Sequence, residues 1–245
     1  MEKKFRNAVV IFIDILGSQN RENFDEWYNI MNIFSTTVEH EKELDNTHPW
    51  TIYKREIHIF SDCAYILYDY KDNIEDSRKD IYKLMCIACY NTEKVLYEFL
   101  KNGFIARGAI THGELFYDNE KSIWFGPAIN RAYFLESKQA KFPRIIIDPE
   151  YAEKLFEFNE YEYRNNALQR ENNGEILCRD VDDFIYLNYL NTVKLLVNQV
   201  EYYNFLENVL QLCNNERKIP RKTKELQESI KNKYDWLEAF LLKTQ

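Results

Sequence analysis

Two short apolar runs that each lead into an aspartate constrain this chain most: residues 9–13 before Asp14, and residues 57–60 before Ser61 and Asp62. Both runs are rich in the β-branched and aromatic residues that suit central strands. An ionised carboxylate at the end of a buried strand is costly unless something positive compensates it. If the two strands lie side by side, both carboxylates reach one point at the rim of a sheet. Hard oxygen ligands converging there suit Mg²⁺ or Mn²⁺, the ions that accompany nucleoside triphosphates. Taken singly, each aspartate has a plainer reading. Asp62 after Ser61 is ordinary turn chemistry, and Asp14 suits the end of any strand.

The order of elements decides between these readings. The patterning predicts a strand at 8–15, a helix at 23–44, a hairpin from 53–60 to 63–69 and a long helix at 76–101. A strand at 104–111, an extended piece at 121–125, a helix at 127–139 and a strand at 144–147 follow. The opening β-α-β-β-α-β is the split ferredoxin-like pattern, an antiparallel sheet with both helices on one face. In that order the first strand and the hairpin are neighbours, so Asp14 and Asp62 meet. The expected fold is therefore α+β, a ferredoxin-like βαββαβ palm with a helical C-terminal extension. Residues 1–148 are expected to form the palm and residues 149–245 an α-rich extension packed on it. In the extension, 149–183 reads as polar with a short helix near 150–157, 184–190 as a strand, and 191–213 and 222–242 as amphipathic helices. Between the last two lies a basic loop, 217–224, in an acidic protein, a run that suits either a solvated face or a phosphate or partner contact.

Composition narrows the function. With 32 basic against 40 acidic residues the net charge is −8, which argues against a general nucleic-acid binder. No apolar stretch reaches the length of a membrane span, and the basic N-terminus lacks the pattern of a signal peptide, so a soluble cytoplasmic protein is expected. The five cysteines are scattered. Cys86 and Cys89 form a CxxC, but without a second pair or a nearby histidine they read as small core residues. His112 and Glu114 sit in what reads as a strand-to-turn region with no nucleophile in view.

FIDILG (12–17), FSD (60–62) at a hairpin tip, ARGAITHG (106–113) and FGPAINRAYFLE (125–136), in this order and spacing, resemble the class III nucleotidyl cyclase catalytic domain over residues 8–148. The resemblance implies a metal-dependent enzyme in which a ribose 3′-hydroxyl attacks the α-phosphorus of a nucleoside triphosphate and pyrophosphate leaves. It implies two Mg²⁺ or Mn²⁺ ions held by Asp14, Asp62 and the carbonyl of Ile15, stabilising the attacking and leaving oxygens together. Backbone N–H groups from Phe12 through Ile15 and Leu16 to Gly17 are expected to meet the phosphates. The resemblance also implies a head-to-tail homodimer with sites at the interface, where Asn130 orients the ribose of the partner subunit's substrate.

The chain departs from the family at three places. The family's transition-state arginine lies four residues after the Asn, and here that position is Phe134; Arg131, Arg107 and Lys138 are the other candidate cations. His58 and Ile123 stand where adenylate-specific relatives carry a Lys and an Asp. Neither that pair nor the guanine type is present, and a site without those partners should not select a purine by its usual edges. The pyrimidine cyclases of Pycsar antiphage defence depart in the same way, so UTP or CTP is the expected substrate and an antiphage signal the expected role. Two other readings compete: a catalytically silent cyclase-like sensor, which Phe134 favours, and a polymerase-like palm, which the absent GGD[DE]-type hairpin disfavours.

Overall fold

The computed structural model describes residues 4–18, 21–165, 176–190, 193 and 197–243. Its organising element is β1 (Arg6–Ile15), a strand covered on both faces. Val9, Ile11, Ile13 and Ile15 point into one core, and Ala8, Val10 and Phe12 into another. That double cover explains why the run is continuously apolar instead of alternating. Asp14 follows Phe12 on the second face, so its carboxylate emerges where the apolar side chains stop.

The chain continues through α1 (Phe24–Thr47), β2 (Tyr53–Phe60), β3 (Cys63–Tyr70), α2 (Ile81–Lys101), β4 (Ala106–Asp118) and β5 (Ile123–Phe125). Next come α3 (Pro127–Lys138), β6 (Ile145–Ile147), α4 (Pro149–Asn165), β7 (Leu177–Arg179), β8 (Ile185–Leu187), α5 (Gln199–Lys218) and α6 (Lys224–Lys243). Strand order in the main sheet is β2-β3-β1-β4-β6-β8-β7, and β5 pairs with the far end of β4. Each of the first four strands runs antiparallel to its neighbour in the split βαββαβ arrangement. Helices α1 and α2 lie on the face of Val9 and Ile11, and α3 covers the opposite face through Ala128, Ile129 and Ala132. The fold is α+β, as expected.

The sheet as a whole is mixed, because β6 runs parallel to β4. It also continues past residue 148: β8 pairs with β6, and β7 with β8. One apolar core runs from Val9 to Leu241. The extension is thus joined to the palm by ladder hydrogen bonds as well as by packing. Helix α4 is longer than the short helix expected near 150–157.

Three boundaries differ from the sequence reading for identifiable reasons. Helix α2 begins at Ile81 because the Asp80 side chain accepts from the Lys83 N–H, capping the helix there. Strand β4 runs on to Asp118, since Leu115 and Tyr117 are buried on the α3 face and β5 pairs with its end. His112 and Gly113 are therefore strand residues, opposite Val9 and Ala8, and not part of a turn. Helix α5 starts at Gln199 under a capping box of Asn198 and Glu201; residues 191–192 and 194–196 of the helix expected from 191 lie outside the described residues.

The extension is clamped to the palm by Arg144, whose side chain is fully buried. It pairs with Asp180 and Asp182 among the rings of Phe142, Phe184, Tyr186 and Trp236. Trp236 of α6 donates its indole N–H to the same Asp180 at 2.6 Å.

Candidate active site

The hairpin of β2 and β3 turns through only two residues, Ser61 and Asp62, with Ser61 in the left-handed region at φ 56°. Asp14 lies opposite Cys63 in the β1–β3 register, and the Ile15 N–H donates to the Asp62 carbonyl at 3.0 Å. The two aspartates thus sit diagonally on neighbouring strands at the same end of the sheet. Ser18 Oγ donates to the Asp62 carboxylate and orients it.

Arg107 stands opposite Asp14 on the other side, in β4. Its Nε lies 3.5 Å from Asp14 Oδ2 and 2.6 Å from Glu136 Oε1, the latter a close ion pair out of line for a hydrogen bond. Burial raises the Asp14 carboxyl above its ordinary range and Asp62 adds to the rise, while Arg107 opposes both. Burial likewise pushes Glu136 up to about 7. Several acidic groups are thus crowded around a single guanidinium.

Two clefts meet at this point, and Asp14, Asp62 and Arg107 line both. One, of about 520 Å³, is walled by Phe12, His58, Tyr65, Trp124 and Tyr133. The Phe12 ring packs on Tyr65 at 4.6 Å, and His58 stacks on Trp124 at 5.5 Å. Cys63 also faces this cleft, and burial pushes its thiol up to about 12, which leaves it unreactive. The other cleft, of about 530 Å³, is lined by Ile15, Leu16, Gly17 and Ser18 after β1, and by Arg21, Arg221 and Lys233.

The structure brings Phe12, Asp14, Ile15, Leu16, Gly17, His58, Asp62 and Arg107 together at these clefts. The expected run of free backbone donors is not there, however. Ile15 N–H is taken by Asp62, and Leu16 N–H donates to the Ile105 carbonyl at 2.8 Å. Moreover, α1 starts only at Phe24. Arg131 is committed elsewhere: Nε and Nη2 grip Asp148 at 2.9 and 2.6 Å. Lys138 and Asn130 are exposed and line neither cleft, and at Ile123 it is the neighbour Trp124 that faces the pocket. His112 packs edge-on against Tyr151 at 5.7 Å, away from the clefts.

Sequence reasoning missed Ser18, Trp124, Glu136 and Lys233. No local pattern marks Lys233 on an amphipathic helix, and Trp124 is the neighbour of Ile123. Arg221 belongs to the basic loop that the sequence did single out; its neighbours Lys218, Lys222 and Lys224 are exposed.

No family model and no curated protein sequence matches the chain. Among solved structures it is similar to that of the guanylyl cyclase Cya2, with 13% identity and a TM-score of 0.43 over 64% of this chain and 80% of that one. It is also similar to a bacterial light-regulated adenylyl cyclase, with 12% identity and a TM-score of 0.43 over 63% of this chain. The chain spans 46% of the length of that second protein. Likenesses this low leave the reading of the site to its own residues.

Proposed function

We propose that this protein is a divalent-metal-dependent nucleotidyl cyclase that converts a nucleoside triphosphate to a 3′,5′-cyclic mononucleotide and pyrophosphate. The observation that carries the reading is the position of Asp14 and Asp62, shared between an aromatic cleft and one that holds Arg21, Arg221 and Lys233. A ligand with a flat ring at one end and anionic groups at the other, spanning a pair of carboxylates, has the outline of a nucleotide.

Among the described residues no three His, Cys, Asp or Glu side chains form a cluster that could hold a metal ion. Mg²⁺ asks for less, since it keeps several waters and binds through one or two carboxylates together with substrate phosphates. Two hard carboxylates that repel each other fit that requirement. Asp14 and Asp62, with the carbonyl of Ile15, would hold the ions, which when bound polarise the phosphate and lower the pKa of the attacking hydroxyl.

The residues of the chain then divide the remaining work. Ser18 fixes the rotamer of Asp62, and Arg107 holds Asp14 in place from the other side. The aromatic cleft receives the base, with the stacked His58 and Trp124 at one wall. In the reaction an O3′–Pα bond forms and the bond from Pα to the bridging oxygen of the β-phosphate breaks, the hydroxyl proton leaving with pyrophosphate. His58 and Ile123 supply neither of the pairs that read a purine's edges, so UTP or CTP is the proposed substrate and an antiphage signal the proposed role.

The working unit is a homodimer. Asn130 is exposed on α3 beside Tyr133 and Phe134, which are 55% and 46% exposed, and Phe60 at the hairpin tip is 70% exposed. A second copy covering that aromatic surface would carry Asn130 to the partner's cleft. One observation favours a second reading, a silent nucleotide sensor: Arg131 is locked on Asp148, and Phe134 takes the place of the missing arginine.

The test is incubation with Mn²⁺ and each of ATP, GTP, CTP and UTP, with products resolved by mass. A cyclic mononucleotide from UTP or CTP, abolished by Asp62→Ala, is the expected result. No product from any of them, with metal-dependent triphosphate binding retained, transfers the assignment to the silent sensor.

A further inference from the structure

The cleft beyond Asp14 and Asp62 is walled in part by the α5–α6 hairpin, which places Arg221 and Lys233 across from Arg21. Arg21 and Arg221 each spend one terminal nitrogen on a carboxylate: Nη1 on Glu26 at 2.7 Å, and Nη2 on Glu216 at 2.8 Å. In both, Nε is buried and has no hydrogen-bond partner. A guanidinium carries five N–H donors, and a buried one left unmatched is costly. Lys233 is half-buried and makes no ion pair with a described residue, although Asp14 and Glu136 act on it at longer range. Burial and the nearby Arg107 both disfavour its charge.

Glu26 and Glu216, which line the same cleft, meet only one terminal nitrogen each of Arg21 and Arg221, and Lys233 has no ion pair with a described residue, so donors there are left for an entering anion. The anion that fits has several oxygens spread over the width of the cleft and begins at the metal-binding carboxylates. Resting on the nucleoside triphosphate reading above, we propose that Arg21, Arg221 and Lys233 form an oligophosphate cradle. The α5–α6 hairpin of the same chain thereby grips the β- and γ-phosphates. The triphosphate end of the site is then built within one subunit, and the basic loop at 217–224 has one functional member, Arg221. Its neighbour Arg217 is structural, held by Asp235 and Glu238.

The experiment is calorimetric titration of the full chain with inorganic tripolyphosphate in Mg²⁺ buffer. Lys233→Gln and Arg221→Gln are each expected to raise Kd about tenfold, the size of one charge-assisted contact. Lys222→Gln removes the same charge from an exposed position beside Arg221 and is expected to leave Kd unchanged. Arg221→Lys, which keeps the charge but loses the fork, is the milder variant if Arg221→Gln does not fold, and should lie between the two. No binding by the unaltered chain, equal Kd for the folded cleft variants and the unaltered chain, or an equal loss in Lys222→Gln overturns the cradle. The cyclase reading fails separately: variants that lose tripolyphosphate in a protein that cyclises no nucleotide keep the cradle and remove the cyclase. A cyclic product together with unchanged Kd values does the reverse.

Discussion

Arg107 and Asp14 face each other across the β1–β4 ladder, with the guanidinium Nε 3.5 Å from Asp14 and 2.6 Å from Glu136. Removing the shared cation leaves two crowded carboxylates with only Lys233, at longer range, to compensate them. Arg107→Met is expected to destabilise the protein by about 3 kcal/mol, the order of cost for breaking a buried pair. Glu136→Gln added to it should restore part of that loss, a coupling that a double-mutant cycle in urea measures. Simple additivity of the two changes would show that Arg107 does not serve both carboxylates.

Arg144 makes a comparable demand where the extension meets the palm. Its guanidinium is fully buried between Asp180 and Asp182 under the Trp236 ring. Arg144→Met strands two carboxylates and loosens α6, so a loss of about 3–5 kcal/mol is expected. Tryptophan fluorescence during denaturation reads it directly, since Trp236 shares Asp180 with Arg144. A variant within 0.5 kcal/mol of the parent would show that the clamp is dispensable.

Two glycines of β4 should behave in opposite ways. A Cβ at Gly108 would lie 2.0 Å from the Phe12 carbonyl oxygen, whereas at Gly113 the nearest atom is Ala128 Cβ at 3.5 Å. Gly108→Ala is expected to cost about 3 kcal/mol or to prevent folding, because backbone must move. Gly113→Ala is expected to stay within about 1 kcal/mol. Thermal melts of the pair decide it, and similar losses in both would refute the close approach of β4 to β1.

His112 gives a pH signature. Burial against Tyr151 disfavours its charged form and holds its pKa below the ordinary 6.5, despite the opposing pull of Glu150. On acidification the unfolded chain takes up this proton first. Between 6.5 and the lowered value the unfolded state therefore binds more protons, and stability falls as the pH falls. Urea midpoints from pH 7.5 to 5 should decline in the parent and decline less in His112→Gln. Parallel curves would remove His112 as the source.

The palm was legible because its signals are local. The continuous apolar run at 9–13, the Ile57, Ile59 and Phe60 stretch, and a two-residue turn at Ser61 and Asp62 define the strands whose ends meet. The meeting of Asp14 with Asp62 followed from element order alone. The second cleft was not legible, because Arg21, Arg221 and Lys233 come from three segments that only tertiary packing brings together. Arg131 misled for the complementary reason. Its sequence position places it beside Asn130, but Asp148, seventeen residues on, holds its side chain. The expected phosphate-binding N–H groups failed similarly, since Ile15 and Leu16 donate to carbonyls supplied by the hairpin and by the residue before β4.

A core that unites Val9 with Leu241 also sets a timetable. Domains generally fold from the N-terminal side during synthesis, and contacts distant in sequence close slowly. The central strand with Asp14 is made well before α6 and its Lys233. A nascent chain can assemble its carboxylate pair once β3 has emerged, but the opposite wall of the cleft does not exist until α6 docks. The wall that carries Arg221 and Lys233 thus arrives in the same step that closes the core.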